Sequence, residues 1–269
     1  MSDDEVNARR AAPAGAAGLS ESARRELLKD ARALLAPPAR RLFLRRGLTL
    51  GGLAMLTGCS PTTEDQAETL LMHVSRFNDR VQAWLFDPQR LAPTYPASMI
   101  TRPFPFNAYY AEAQAPQVNG EGFFLLVGGK VERKEPWTLE DLAALPQEEQ
   151  ITRHICVEGW SAIGRWGGVC FSTFLQRIGA DLSARYVGFK CADDYFTSID
   201  MPTALHPQTL LTLTYDGQTL PRKYGFPMKL RMPTKLGYKN PKHIVEIFVT
   251  NDYPGGYWED QGYNWFGGS

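Results

Sequence analysis

The sequence predicts a mixed, strand-rich α+β domain behind a separate N-terminal leader. Three observations carry that reading. From Gly122 onward, short apolar runs of strand length recur between Gly and Pro breaks, with brief helical stretches among them, in an order too irregular for a doubly wound sheet. Residues 87–121 hold six prolines and no sustained hydrophobic period, which describes a long irregular arm. Charge divides the chain: residues 1–58 carry ten Lys/Arg against six Asp/Glu, whereas 59–269 sum to −4 and hold all six Trp.

Composition bounds the classes. A chain of 269 residues allows one large domain or two small ones. Hydrophobic residues at 43% and charged residues at 22% exclude a disordered chain. The net charge of zero supplies no global basic field, and no nucleic-acid motif is present, so nucleic acid is not an expected partner. Four Cys are too few for a disulfide-dense scaffold. The longest apolar stretch is too short for a multi-span membrane protein.

The leader is read as residues 1–58. Arg40-Arg41-Leu42-Phe43-Leu44-Arg45-Arg46 is a basic region, the apolar run 47–58 follows, and Leu56-Thr57-Gly58-Cys59 closes it. That order describes an export signal. The arginine pair resembles the signal of the Tat pathway, and Leu-Thr-Gly-Cys resembles a lipobox, which predicts lipidation of Cys59 and a periplasmic, lipid-anchored protein. Upstream, Ser20 to Ala36 reads as an amphipathic helix, with Leu27, Leu28, Ala31, Leu34 and Leu35 on one face. A site for a maturation chaperone and a mis-assigned start codon both account for it.

Residues 59–99 are read as a helical tether and arm. Thr63 is the expected cap of a helix to about Phe86, in which Leu70, Leu71, Val74, Phe77, Val81 and Trp84 keep helical spacing. Residues 100–269 form the expected domain. Strands are predicted at Phe123–Val127, broken by Gly128-Gly129, and at Ile151–Val157, Tyr186–Cys191, Leu210–Tyr215, Met228–Met232 and Ile244–Val249. Thr138 caps a short helix, Ser172 is the expected cap of another through about Ile178, and Asp216-Gly217 marks a tight turn.

Cys156 sits in Arg153-His154-Ile155-Cys156-Val157-Glu158-Gly159-Trp160-Ser161, where a strand enters a Gly-containing loop. No CxxC accompanies it, so zinc and iron–sulfur ligand spacings are missing. Positions two apart on a strand share a face without forming a close pair, so His154 is not an evident base for the thiol. On spacing alone, a buried inert Cys is the more frequent case.

Cys156-Val157-Glu158-Gly159-Trp160-Ser161, followed by Trp166-Gly167-Gly168-Val169, resembles the molybdenum-binding segment of the sulfite-oxidase superfamily, closest to its bacterial periplasmic methionine sulfoxide reductases. The likeness spans roughly residues 100–255. It implies a sulfite-oxidase-type molybdopterin-binding domain holding one molybdenum-molybdopterin, with Cys156 as the metal ligand. The resemblance also implies cofactor contacts by position. In the arm these are Asn107, Tyr110 and Ala111, the last through its backbone. On the strand ending at Cys191, that residue stands where Thr is usual. Tyr224 and Lys229 replace Asn or His and Arg, and a Lys lacks the planar fork of an Arg. Asn240, Pro241 and Lys242 fall in the loop expected to close over the phosphate.

The charge agrees with this. Residues 222–242 supply Arg222, Lys223, Lys229, Arg231, Lys235, Lys239 and Lys242, interleaved with Gly and Pro, in an otherwise acidic domain. Arg165, His206 and Glu158 are the further catalytic candidates: Arg165 for an oxyanion as in the sulfite-oxidising branch, His206 with Tyr109 either facing the substrate funnel or packed behind it, and Glu158 either as a proton carrier or as the acceptor of a backbone hydrogen bond. The resemblance implies oxygen-atom transfer on a small substrate, with a reductase of S-oxides or N-oxides ahead of a sulfite dehydrogenase or oxidase. A non-catalytic molybdopterin- or anion-binding lipoprotein is the competing class. No haem CxxCH motif is present, which predicts a separate membrane haem protein as electron partner. The likeness does not extend to the superfamily's dimerisation domain, which points to a monomer.

Overall fold

The computed structural model describes residues 64–269. The leader, the Ser20–Ala36 helix, Arg40-Arg41, Cys59 and the Thr63 cap lie outside the described residues. In chain order the elements are α1 (Glu64–Leu85), β1 (Leu126–Gly129), α2 (Leu139–Ala143), β2 (Gln147–Ile155), β3 (Ser161–Cys170), α3 (Phe171–Arg177), β4 (Tyr186–Cys191), β5 (Phe196–Asp200), α4 (Met201–Ala204), β6 (Leu210–Tyr215), β7 (Gln218–Thr219), β8 (Lys229–Arg231) and β9 (Ile244–Thr250). One sheet is ordered β1-β9-β4-β5, with β1 parallel to β9 and the other pairs antiparallel. The second is antiparallel, β2-β3-β6-β7, with β8 also on β6. This is the mixed, strand-rich domain expected.

Local chemistry explains most element ends. Thr138 caps α2 through its hydroxyl, which accepts from Asp141 N at 3.0 Å, while Asp141 Oδ2 accepts from Thr138 N at 3.0 Å. Asp216 and Gly217 adopt φ of 49° and 76° between β6 and β7, as a tight hairpin turn requires. The cap expected at Ser172 is not formed. The residue before α3 is Cys170, without a side-chain cap bond, and Phe171 N donates to Thr209 O at 2.8 Å instead. β1 runs through the Gly128-Gly129 pair expected to break it.

β3 and β5 carry no signal in the sequence reading. β3 holds three glycines, which weaken a strand pattern. Gly168 is needed by close approach: a Cβ there would sit 2.1 Å from Leu211 O on β6, beside a register shift at Gly167/Gly168. Phe171, Phe174, Phe189, Leu211, Leu230 and Ile247, drawn from both sheets and α3, join in one buried cluster. A second cluster holds Phe104, Ala162, Trp166, Leu220 and Tyr224.

The arm 87–121 is irregular, as predicted, and pinned along β2 and β3. Tyr95 N donates to Ile151 O at 3.0 Å and Thr101 N to Ile163 O at 2.9 Å. Asp65–Ser269 is one compact unit that includes the arm and α1. The helical spacing located α1, but the face turned to the body is the polar one: Asp79 Oδ1 accepts from Asn264 Nδ2 (2.6 Å) and Phe266 N (3.0 Å).

Candidate active site

The β2–β3 hairpin fixes Cys156. Ile155 pairs with Ser161, and the turn between them closes with Cys156 N donating to Trp160 O at 2.9 Å and Gly159 N to Cys156 O at 3.1 Å. Gly159 has φ 91°, a backbone region that favours glycine. The Cys156 side chain is thereby held at the strand end, 6% exposed. Burial pushes its thiol pKa up, and the charge of Glu158 pushes the same way. Glu158 Oε2 lies 3.6 Å from Cys156 Sγ and accepts from Trp160 Nε1 at 2.9 Å.

The arm brings Asn107 across this turn. Its Nδ2 donates to Cys156 Sγ (3.5 Å) and sits 3.3 Å from His154 Nε2. Burial first, then the charges of Lys229, Arg231 and Lys242, hold the His154 pKa well down. The ring is therefore neutral, and Nε2 serves as acceptor for the amide. A third wall comes from the turn between β4 and β5, where Tyr109 OH donates to Asp193 O (2.5 Å) and Tyr110 OH to Asp193 Oδ2 (2.7 Å). Tyr109 stacks on Tyr257 at 4.9 Å, and Trp258 packs on Tyr263 at 5.1 Å. The pocket so enclosed has a volume of about 400 Å³; Asn107, Tyr110, Cys156, Glu158, Asn240, Pro241 and Lys242 line it with Tyr109, Asp193, Trp258 and Tyr263.

The donor set tests which group fits. Among the described residues no cluster of three or more His, Cys, Asp or Glu can hold a metal, so a metal bound by Cys156 must take its other ligands from a non-protein group. Behind the pocket, Lys229 and Arg231 are buried. The Lys229 ammonium makes no hydrogen bond or ion pair with the described residues and lies 4.9 Å over the Trp166 ring. Arg231 donates to Asn240 Oδ1, Thr152 Oγ1 and Arg153 O, none of them acidic. Lys242 Nζ donates to Asn107 O at 2.5 Å. His154 Nδ1 is buried without a partner. One soft thiol, three cations without direct carboxylate partners and an orphaned ring nitrogen fit an anionic, metal-bearing pterin.

Several expected site residues lie elsewhere. Arg165 is on β3 opposite Ile151, four residues from the hairpin end and so ~13 Å along the strand, paired with Glu149 at 3.6 Å. His206 is buried against Phe86, with Nε2 3.1 Å from Arg90 O and Nδ1 accepting from Gln208 N. Neither lines the pocket. Ala111 is exposed, and its N–H is taken by Gln114 Oε1 at 3.0 Å. Tyr224 donates to Phe104 O at 2.8 Å inside the second core cluster. Cys191 is buried and does not line the pocket, and Lys229 stands behind it. Asn240 lines it, but its amide is spent internally: Oδ1 accepts from Met232 N (2.7 Å) and Nδ2 donates to Leu236 O (3.0 Å). Asp193, Trp258 and Tyr263 were missed. The run of aromatics from Tyr253 to Phe266 was the available signal for two of them.

Fold and site together define a molybdopterin-binding oxidoreductase. The chain belongs to the oxidoreductase molybdopterin binding domain family, whose model matches residues 112–258. It is 67% identical, over 91% of its length and 94% of the relative's, to a "Putative protein-methionine-sulfoxide reductase subunit YedZ1" of Azospira oryzae. It is 35% identical over half its length to the protein-methionine-sulfoxide reductase catalytic subunit MsrP of Xanthomonas axonopodis pv. citri, of which it spans 47%. Among solved structures, the sulfane dehydrogenase SoxCD of Paracoccus pantotrophus matches with a TM-score of 0.48 and 18% identity, over 51% of this chain and 40% of that one.

Proposed function

We propose that this chain is the catalytic subunit of a sulfoxide reductase, exported and lipid-anchored at Cys59, that draws electrons from a separate membrane haem protein. The carrying observation is Cys156, buried at one wall of a pocket whose other walls combine Lys242 and Asn107 with seven aromatic side chains. The names of the relatives point the same way. When bound, the molybdenum cofactor would supply two-electron oxygen-atom-transfer chemistry. The overall reaction converts R–S(=O)–CH3, two electrons and two protons to R–S–CH3 and water.

The residues of the chain have distinct parts in this. Cys156 would hold the metal. Asn107 orients the thiolate by donating to Sγ, and His154, neutral and buried, accepts from the same amide. Lys242, Lys229 and Arg231 balance the charge of the pterin. Tyr109, Tyr110, Trp258 and Tyr263 offer ring edges and faces, which favour a neutral alkyl sulfoxide over a compact hydrated oxyanion. Arg165, the residue that favoured an oxyanion, is outside the pocket.

The test is molybdenum analysis of the purified protein, followed by turnover with reduced viologen and methionine sulfoxide, and with sulfite and ferricyanide. The reading expects stoichiometric molybdenum and faster sulfoxide reduction. Sulfite oxidation alone contradicts it, as does bound pterin without turnover. The export reading rests on Arg40-Arg41 and Leu56-Thr57-Gly58-Cys59. Intact mass of membrane-extracted protein should show an acylated Cys59 at the N-terminus.

A further inference from the structure

We propose that α1 lies along the bilayer surface, with its outward apolar face sunk among the lipids. The proposal goes beyond the enzymatic reading and rests on the anchor reading in one respect, the nearness of Cys59. An amphipathic helix normally buries its apolar stripe against the core. Here the opposite holds. Leu70, Phe77 and Trp84 are 60%, 57% and 81% exposed, and Leu71, Val74 and Val81 are also exposed. At 100° per residue these six fall within a sector of roughly 140°, which also takes in two uncharged polar positions, Asn78 and, at its edge, Gln66.

The helix cannot simply turn this face inward, because its other side is fastened. Asp79 holds Asn264 and Phe266 N, and the Arg76 guanidinium lies 5.1 Å over the Tyr253 ring. A contiguous apolar surface of this kind on a folded chain marks an interaction site.

Three observations select lipid as its occupant. In sequence, α1 begins five residues after Cys59, so the helix start is within ~18 Å of the predicted acylated residue in any conformation. The sector combines aliphatic side chains with Phe77 and Trp84 and contains no charge to specify a protein partner, which is the make-up of an interfacial helix. Among the described residues no helix is long and apolar enough to cross a membrane, so the contact runs along the surface. It would also tie the catalytic pocket to the membrane plane, since Asn264, held by Asp79, accepts through its carbonyl from Tyr238 OH (2.6 Å), and Tyr238 lines the pocket.

The test uses full-length, cofactor-loaded Cys59→Ser protein, which carries no acyl chain, with vesicles of phosphatidylethanolamine and phosphatidylglycerol. Co-sedimentation is compared with the same protein bearing Phe77→Gln and Trp84→Gln. The leader is common to both, so only the difference is read. Both side chains are exposed, so circular dichroism and molybdenum content should not change. Vesicle binding should fall by at least about tenfold in the substituted protein and should be insensitive to salt. Brominated acyl chains should quench Trp84, read as the difference between the parent protein and Trp84→Phe. Equal binding of both proteins, binding abolished by salt, or an unquenched Trp84 overturns the proposal. Self-association of the parent protein that the substitutions abolish, without vesicle binding, overturns it too and assigns the face to a second copy. An unacylated native Cys59 with vesicle binding intact removes the anchor reading and leaves this one standing.

Discussion

Burial sets the chemistry of the single residues around the pocket. Lys242 has its pKa pushed down to about 8 by burial, which the charge of Asp193 opposes. An anion beside it favours the protonated form, so cofactor affinity should be level below about pH 7 and fall as pH rises through 8. Stability of the cofactor-free protein should move oppositely. From about 8 to the ordinary value of 10.5 the unfolded chain keeps a proton that the folded chain has released, so this residue adds stability as pH rises. Pterin retention and denaturant midpoints across pH 6–10 check both signs, and Lys242→Met should flatten both. Arg165 is the counter-case. Paired at 3.6 Å with half-exposed Glu149, it belongs to a class of contact worth about 0–1 kcal/mol. Arg165→Ala should leave kcat/KM for sulfite and for methionine sulfoxide within about twofold of wild type, measured per molybdenum; a selective loss on sulfite restores the oxyanion role.

At the scale of elements, the site depends on how closely the arm, the hairpin and the 232–242 loop approach. Gly237 shows the tolerance: a Cβ there would lie 2.8 Å from His154 Nε2 and 2.9 Å from Asn107 Nδ2. Gly237→Ala should therefore lower molybdenum content several-fold, because it displaces Asn107, which lines the pocket, and the buried His154 ring that Asn107 bonds. Metal analysis checks this. The same closeness explains what could be read in the sequence. Cys156, Asn107 and Lys242 sit in contiguous motifs whose local turns place them, and β4, β6 and β9 are short segments rich in β-branched, aromatic and aliphatic residues. β3 was hidden by its glycines. Arg165 and His206 lie outside the pocket lining because hairpin register and the packing of Phe86 decide where they point, and neither is a local property. Asp193 reaches the pocket only because β4 and β5 turn beside the arm.

Over the whole molecule, the chain spends its stability on holding charge in place. Lys239 and Glu259, both buried, form a close ion pair that also engages Thr197 and ties the loop after β8 to the C-terminal aromatic segment. Such pairs contribute little net stability but fix geometry, and this one holds two walls of the pocket together. Among the residues lining the pocket, Cys156 is the one soft metal donor. That donor carries the central claim. The most direct measurement is molybdenum X-ray absorption on wild type and Cys156→Ser, each normalised to bound metal. The account predicts one fewer sulfur around molybdenum in the variant, with sulfoxide reduction lower by on the order of 100-fold or more. An unchanged sulfur count in a molybdenum-loaded, active Cys156→Ser protein would contradict it.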